Sequence, residues 1–223
     1  MALTVDLLES FIDSFVLTGS VLSHSDDGVN TTMVLENLYN TRYNMAIDID
    51  GTDYTVLSAD HTSNTIVVSG VIADPLAYIV PNPFYFHGTP YATNAQIAYL
   101  DDASKVPMIY LMEILREDIQ STDSPIDRTV DVRLFFLDVA NFEDWTTDDH
   151  YSKVITGLNN LVTYFIAQLK LSKDFYTFDT VFRQINHIKF GQFQDLKGHI
   201  QSIFNDHLSG IEVSFNLSIR KTC

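Results

Sequence analysis

Seven histidines, 29 acidic residues and one cysteine are the groups able to do chemistry in this 223-residue chain. Their spacing decides which chemistry is open to them. His187, His199 and His207 share one C-terminal region with Asp206, and imidazole with carboxylate is a ligand set that zinc accepts. His187, however, sits among alternating polar residues of a strand pattern, and the other two fall in a loop or short helix. Solvated or locally hydrogen-bonded histidines are the expected reading. Asp48, Asp50 and Asp53 surround Gly51 without the closing acid of a calcium loop, so a hairpin tip is expected there. The adjacent acids Asp101–Asp102, Glu117–Asp118 and Asp148–Asp149 have the composition of acid–base pairs, but read better as a loop, a strand exit and a helix start. Cys223 would need a positioned base to act as a nucleophile, and its place at the end of the sequence supplies none. Gly-rich phosphate loops, Cys-x-x-Cys, Gly-x-Ser-x-Gly and His-Glu-x-x-His patterns do not occur. No catalytic, cofactor-binding or metal-ligating residue is therefore expected, and the chain is not expected to be an enzyme.

The elements that would hold such groups centre on residues 128–171. From Thr129 to Val139, Val130, Val132, Leu134 and Phe136 alternate with Asp131, Arg133, Phe135 and Leu137, the pattern of a strand with one face buried and part of the second covered. Thr146 or Thr147 then caps a helix whose first turn carries Asp148 and Asp149 at the positive end of the dipole. Val154, Leu158, Leu161, Val162, Phe165 and Leu169 form the helix stripe. Gly157 in its middle marks a close approach of backbones, and Trp145 anchors the turn.

Around this unit, residues 3–16 read as an amphipathic helix packed either on the chain's own core or on a neighbouring subunit. Gly19 to Thr32 reads as a polar mobile loop. Residues 44–70 read as a β-hairpin subdomain whose third strand is Thr65 to Val68. Thr89 and Pro90 open a short helix. Met108 to Leu115 reads as a strand, with a helix as the rival, and would pair antiparallel with 129–139. Strands at 181–190 and 211–219 join the same sheet. The expected fold class is α+β: an antiparallel β-sheet with a long helix and a shorter helix packed on one face, plus a small N-terminal β-hairpin subdomain. The chain is read as a single domain of 1–223, with an N-terminal helix and loop at 1–43, a β-hairpin insertion at 44–80 and the α+β core at 84–223.

Composition narrows the classes. A hydrophobic fraction of 46% and 6 prolines fit a folded chain. A formal charge of −16 opposes direct phosphate binding, because duplex affinity comes from Lys and Arg displacing counterions. One cysteine allows no internal disulfide, MALTVDLLESFIDSF is no secretory signal, and no apolar run spans a bilayer. A soluble protein made in the cytoplasm and free of the membrane is expected.

Several phrases carry a family resemblance: Phe86-His87-Gly88-Thr89-Pro90 with Thr93-Asn94; Pro107 to Glu113; Leu134 to Asp138; Asn141 to Tyr151; Phe190-Gly191, Lys197-Gly198 and Ile203 to Gly210. Together, over residues 84–219, they resemble structural proteins of tailed bacteriophages infecting Bacteroidota, the crAss-like phages among them. The order of elements is similar to that of tail-completion, or tail terminator, proteins. The resemblance implies a virion protein of the neck or upper tail: a homo-oligomeric ring, six- or twelvefold, that joins portal to tail and lets DNA pass without specific binding. Portal, neck or tail proteins would be its neighbours, and no cofactor is implied. Contact elements expected on this reading are the 20–30 loop, the 44–70 hairpins and the Lys173–Thr180 link. An assembly adaptor or chaperone outside the virion is the alternative, with a metal-dependent hydrolase behind it.

Overall fold

In a computed structural model of the chain, the described residues are 3–100, 105–113, 115–120, 123–177, 180–194, 196 and 199–221. The pair Asp101–Asp102, the Lys197-Gly198 phrase and Cys223 lie outside them. Helix α1 (Thr4–Asp13) buries Leu8 and Ile12 completely on the chain's own core, which settles its two packings. Then come strands β1 (Leu17–Asp26), β2 (Asn30–Leu35), β3 (Ala46–Ile49), β4 (Thr52–Asp60), β5 (Thr65–Ser69) and β6 (Ala77–Val80). They close into a six-stranded barrel in the order β1-β2-β5-β4-β3-β6. Alternate residues fill its interior: Met33, Leu35, Ile47, Ile49, Val56, Ile66, Val68, Tyr78 and Val80 are all buried. A barrel this small has room for side chains only.

The rest of the chain builds β7 (Phe84–Gly88), α2 (Pro90–Ile97), β8 (Met108–Met112), β9 (Arg116–Ile119) and β10 (Ile126–Val139). Helix α3 (Thr147–His150), a π-helical turn at Tyr151–Ile155 and α4 (Thr156–Leu171) follow, then β11 (Phe175–Tyr176), β12 (Arg183–Phe190), β13 (Gln192–Gln194), β14 (Ile200–Ser202) and β15 (Leu208–Arg220). Seven of these strands form one sheet. Its spine is the antiparallel pair β10–β15, in register from Arg128↔Ile219 to Val139↔Leu208. Strands β8 and β9 flank β10, and β11 and β12 flank β15, all antiparallel. Strand β7 is parallel to β8.

Both faces of β10 are buried from Leu134 to Asp138. Under α4, Phe165 meets Phe136 edge-on at 5.4 Å and lies 6.2 Å from Phe215. On the opposite face Phe135 stacks on Tyr110 at 5.7 Å and touches Phe190 at 4.8 Å, with Ile97, Phe204 and Leu208 closing a second cluster. The first cluster is continuous with α1 and the barrel interior.

The α+β expectation is wrong. The chain is mostly β, its helices are short, and a closed barrel over 17–80 stands where a hairpin insertion at 44–80 and a loop at 19–32 were expected. The reason is local. The far half of β1, from Leu22 to Asp26, is exposed on both faces, so it has no apolar period. The inward Thr31 of β2 disguises that strand as polar, because its hydroxyl donates to the Gly70 carbonyl and accepts from the Ile72 N–H inside the barrel. The helix is shortened by the π-helical turn, where the Thr156 hydroxyl donates to the Tyr151 carbonyl at 2.9 Å. Nor is the sheet covered on one face only, since the second aromatic cluster fills the other.

Two substitutions measure this core. Phe165→Ala should lower stability by about 3–5 kcal/mol, as deletion of a buried aromatic does. Gly210 of β15 faces β10 so closely that an added Cβ would collide with the Phe136 carbonyl oxygen. Backbone cannot step aside as a side chain can, so Gly210→Ala should cost about 1–3 kcal/mol by overpacking. Urea denaturation reads both as a lower midpoint at similar slope; a wild-type midpoint for Gly210→Ala would mean the two strands part at that point.

Candidate functional site

The histidines singled out by sequence are dispersed. His187 Nε2 lies 2.9 Å from a Glu212 carboxylate oxygen, His207 stacks on Phe142 at 4.5 Å, and His199 is exposed. Asp206 receives the Lys105 ammonium at 2.9 Å. Among the described residues no three His, Cys, Asp or Glu side chains come together as a metal site would require. The hairpin acids build turns. Asp48 accepts from the Gly51 N–H at 2.7 Å, and the two oxygens of Asp50 accept from the Leu76 and Ala77 N–H groups at 2.9 and 3.0 Å. Asp149 completes a capping box with Thr146 and pairs with Lys153 at 2.7 Å. Glu117 and Asp118 sit on β9 beside Arg128 and Arg116.

One concavity was not foreseen. A cleft of about 550 Å³ separates the barrel from the sheet, walled by Thr41–Tyr43, Leu57–Thr62, Asp138–Val139, Trp145 and Ser152–Val154. Its residues lie far apart in sequence, and neither flanking stretch carries a motif. Arg42, from the link between β2 and β3, reaches Asp138 at the end of β10 at 3.3 Å and donates to the Val106 carbonyl at 3.3 Å. It ties the barrel to the sheet. Opposite, His61 Nε2 lies 2.9 Å from the Thr41 carbonyl. A carbonyl only accepts, so this nitrogen carries the proton and Nδ1 is bare. Burial holds the His61 pKa below the ordinary 6.5, in keeping with a neutral ring. Gly157 meets this imidazole and not another backbone: an added Cβ would lie 2.7 Å from Nε2. Behind the cleft a void of about 10 Å³, roughly the room one water needs, is lined by Asn40, Thr41 and His61. Asn40, the Thr41 hydroxyl and His61 Nδ1 have buried polar atoms without protein partners there. At the rim the Lys153 ammonium stands 4.9 Å above the half-buried Trp145 ring. No contact places the cleft's Ser58, Thr62 or Ser152 hydroxyls beside His61, so the geometry is that of a polar joint between two units and not of an activated nucleophile.

Charge is the second feature. Strands β1–β6 and their turns carry eight carboxylates against Arg42 alone, while residues 180–221 carry five cations against three acids. Seven of the eight barrel acids are exposed. The Asp27 and Asp60 carboxyls are held below the usual range by turn hydrogen bonds, from the Asn30 N–H first for Asp27 and from the Ser63 hydroxyl first for Asp60, so they stay ionised.

The fold and its surfaces define a β-protein built from a closed acidic barrel joined through a polar cleft to an open mixed sheet. No family model, curated protein or solved structure matches the chain.

The joints predict a pH profile. The His61 pKa is lowered by burial, and the His150 pKa by burial and then by Lys189; His150 Nδ1 rests 2.9 Å from the Ser209 hydroxyl. Below about pH 6.5 the unfolded chain therefore binds more protons than the folded one, and stability falls as pH falls. Glu212 is lowered from 4.5 by its hydrogen bonds to Arg133 first and by His187 in turn. Its stabilisation is present above pH 4.5 and is lost as pH drops through the folded value. Melting temperature should thus decline in two limbs on acidification, and His61→Gln should flatten the upper one; a flat profile from pH 7 to 5 would contradict the neutral, buried imidazoles. In the same cleft, Gly157→Ala should lower the melting temperature by displacing His61.

Proposed function

We propose that this chain is a structural virion protein that assembles with copies of itself into a ring in the neck or upper tail of a tailed phage, joining portal to tail and letting DNA pass. The observation that carries the reading is the separation of charge along one chain, with an acidic barrel at one end of the sequence and a cationic stretch at the other. Rings arise from heterologous contacts, which need two unlike, complementary surfaces on every subunit. The sequence resemblance to Bacteroidota phage structural proteins supplies the setting. A net charge of −16 suits a wall that passing DNA does not stick to, since phosphate binding requires the opposite sign. In this role the turn-building carboxylates do double duty: one oxygen fixes a hairpin while the charge remains on the surface. The Arg42–Asp138 joint keeps barrel and sheet in one body, so that the two surfaces hold a fixed angle from subunit to subunit. Portal, neck and tail proteins are the neighbours this reading assigns. No described helix is long and apolar enough to cross a membrane.

An assembly adaptor would use the same surfaces but would leave before the particle matures. Mass spectrometry of purified particles separates the two: the virion reading expects this chain in fixed proportion to portal and tail proteins, and its absence from washed, mature particles would overturn it.

A further inference from the structure

The chain exposes two strand edges of opposite charge. The first is the outer edge of β12. This strand pairs with β15 on one side, and among the described residues no strand pairs with its other side. Seven of its eight residues are exposed or half-exposed, Ile185 to 52% and Ile188 to 41%. Arg183 at its start has no ion pair among the described residues, and the Lys189 ammonium near its end meets the Phe142 carbonyl and ring. Lys170 of α4 stands 5.8 Å from Phe182, beside Arg183. No carboxylate lies within β12 itself.

The second edge is the far half of β1. The barrel closes through Leu17–Ser20 of β1 against Ala77–Val80 of β6. The Val21 N–H still donates to the Leu76 carbonyl at 2.9 Å, and beyond it Ser23–Asp26 pairs only with β2 among the described residues. Leu22–Asp26 therefore projects as an open edge, with Leu22 65% exposed. Asp26 and Asp27 end it, and Asp74 stands at His24 at 4.0 Å.

An unpaired edge is a template for another strand. Each edge is bulged once, between Val21 and Ser23 on β1 and between His187 and Phe190 on β12, which leaves Ser23–Asp26 and Arg183–His187 as the regular stretches able to pair. Like edges would set Arg183 and Lys189 against their own copies, or Asp26 against Asp26, and like charges across a strand pair destabilise it. Unlike edges match charge: run antiparallel with Arg183 opposite Asp26, they set Ile185 opposite His24 and leave Leu22 diagonal to it. We infer that β12 of one copy docks on the Leu22–Asp26 edge of the next, a head-to-tail strand pairing that extends the sheet of one subunit onto the barrel of its neighbour. This rests on the ring reading above and names its interface.

Light scattering and sedimentation on the full chain test it. Arg183→Glu and Asp26→Lys should each abolish the assembled species, and the two together in one chain should restore it. Asp26 also accepts the Gly28 N–H at 3.1 Å; Asp26→Asn keeps that acceptor and should still weaken assembly. In a Cys223→Ser background, His24→Cys chains mixed with Ile185→Cys chains should form disulfide-linked dimers, while neither should do so alone. Assembly that ignores both single reversals, or Ile185→Cys chains that link to each other, overturns the inference and leaves the virion reading standing. A wild-type chain that stays monomeric yet is found in particles does the same, whereas absence from particles removes the virion reading itself.

Discussion

Everything in this molecule hangs on the antiparallel ladder between β10 and β15. It runs thirteen residues along β15, with β8 and β9 on the outer side of β10 and β11 and β12 on the outer side of β15. Its backbone hydrogen bonds are shielded by two separate aromatic clusters, one beneath α4 and one beside the β13–β14 ribbon. A hydrogen bond sheltered from water on both faces costs far more to break than one at an edge. The close passage of Gly210 past the Phe136 carbonyl is part of that shelter, since only a residue without a Cβ lets the strands meet there. Glu212, opposite Phe135, puts a carboxylate on this spine and satisfies it with a bidentate Arg133 at 2.6 and 3.1 Å, so the ladder admits a charge without leaving it orphaned.

How much of this could be read from sequence follows from which residues are buried on which side. The strand at 129–139, its cap at Thr146 and the α2 cap at Thr89, which accepts from the Ala92 N–H at 3.3 Å, were legible because alternation and capping are local properties. So was the partner strand of the pair, whose Ile211 to Ile219 alternate cleanly. The barrel was not legible as a closed body. Closure is a relation between Leu17 and Val80, 63 residues apart in the chain, and no local pattern encodes it. Its most exposed strand looked like a loop because neither face is buried. The cleft was hidden for a related reason: Arg42, His61, Asp138 and Lys153 each look unremarkable in place, and only the fold brings them to one wall.

Polar groups inside this protein act mainly as joinery. Arg42 and Asp138 span barrel and sheet, Lys105 meets Asp206, and Tyr39 and Tyr78 carry their hydroxyls to the Thr18 and Asn37 carbonyls. Burial without a partner would be costly, so each joint is geometrically demanding and fixes one relative placement of its two pieces. That demand suits a subunit whose surfaces must repeat at a constant angle. The same residues that could be mistaken for chemistry therefore serve orientation.

The barrel's first residue, Leu17, sits directly opposite its last, Val80. The chain enters and leaves the barrel through a single doorway, between α1 and β7, which are themselves joined by the Tyr85 hydroxyl donating to the Val5 carbonyl at 3.3 Å. The barrel is thus a cassette threaded into the chain at one point. Hairpins away from the Arg42 and His61 joints can lengthen, shorten or be exchanged during evolution while the entry and exit stay one strand-spacing apart and the ladder behind them is untouched.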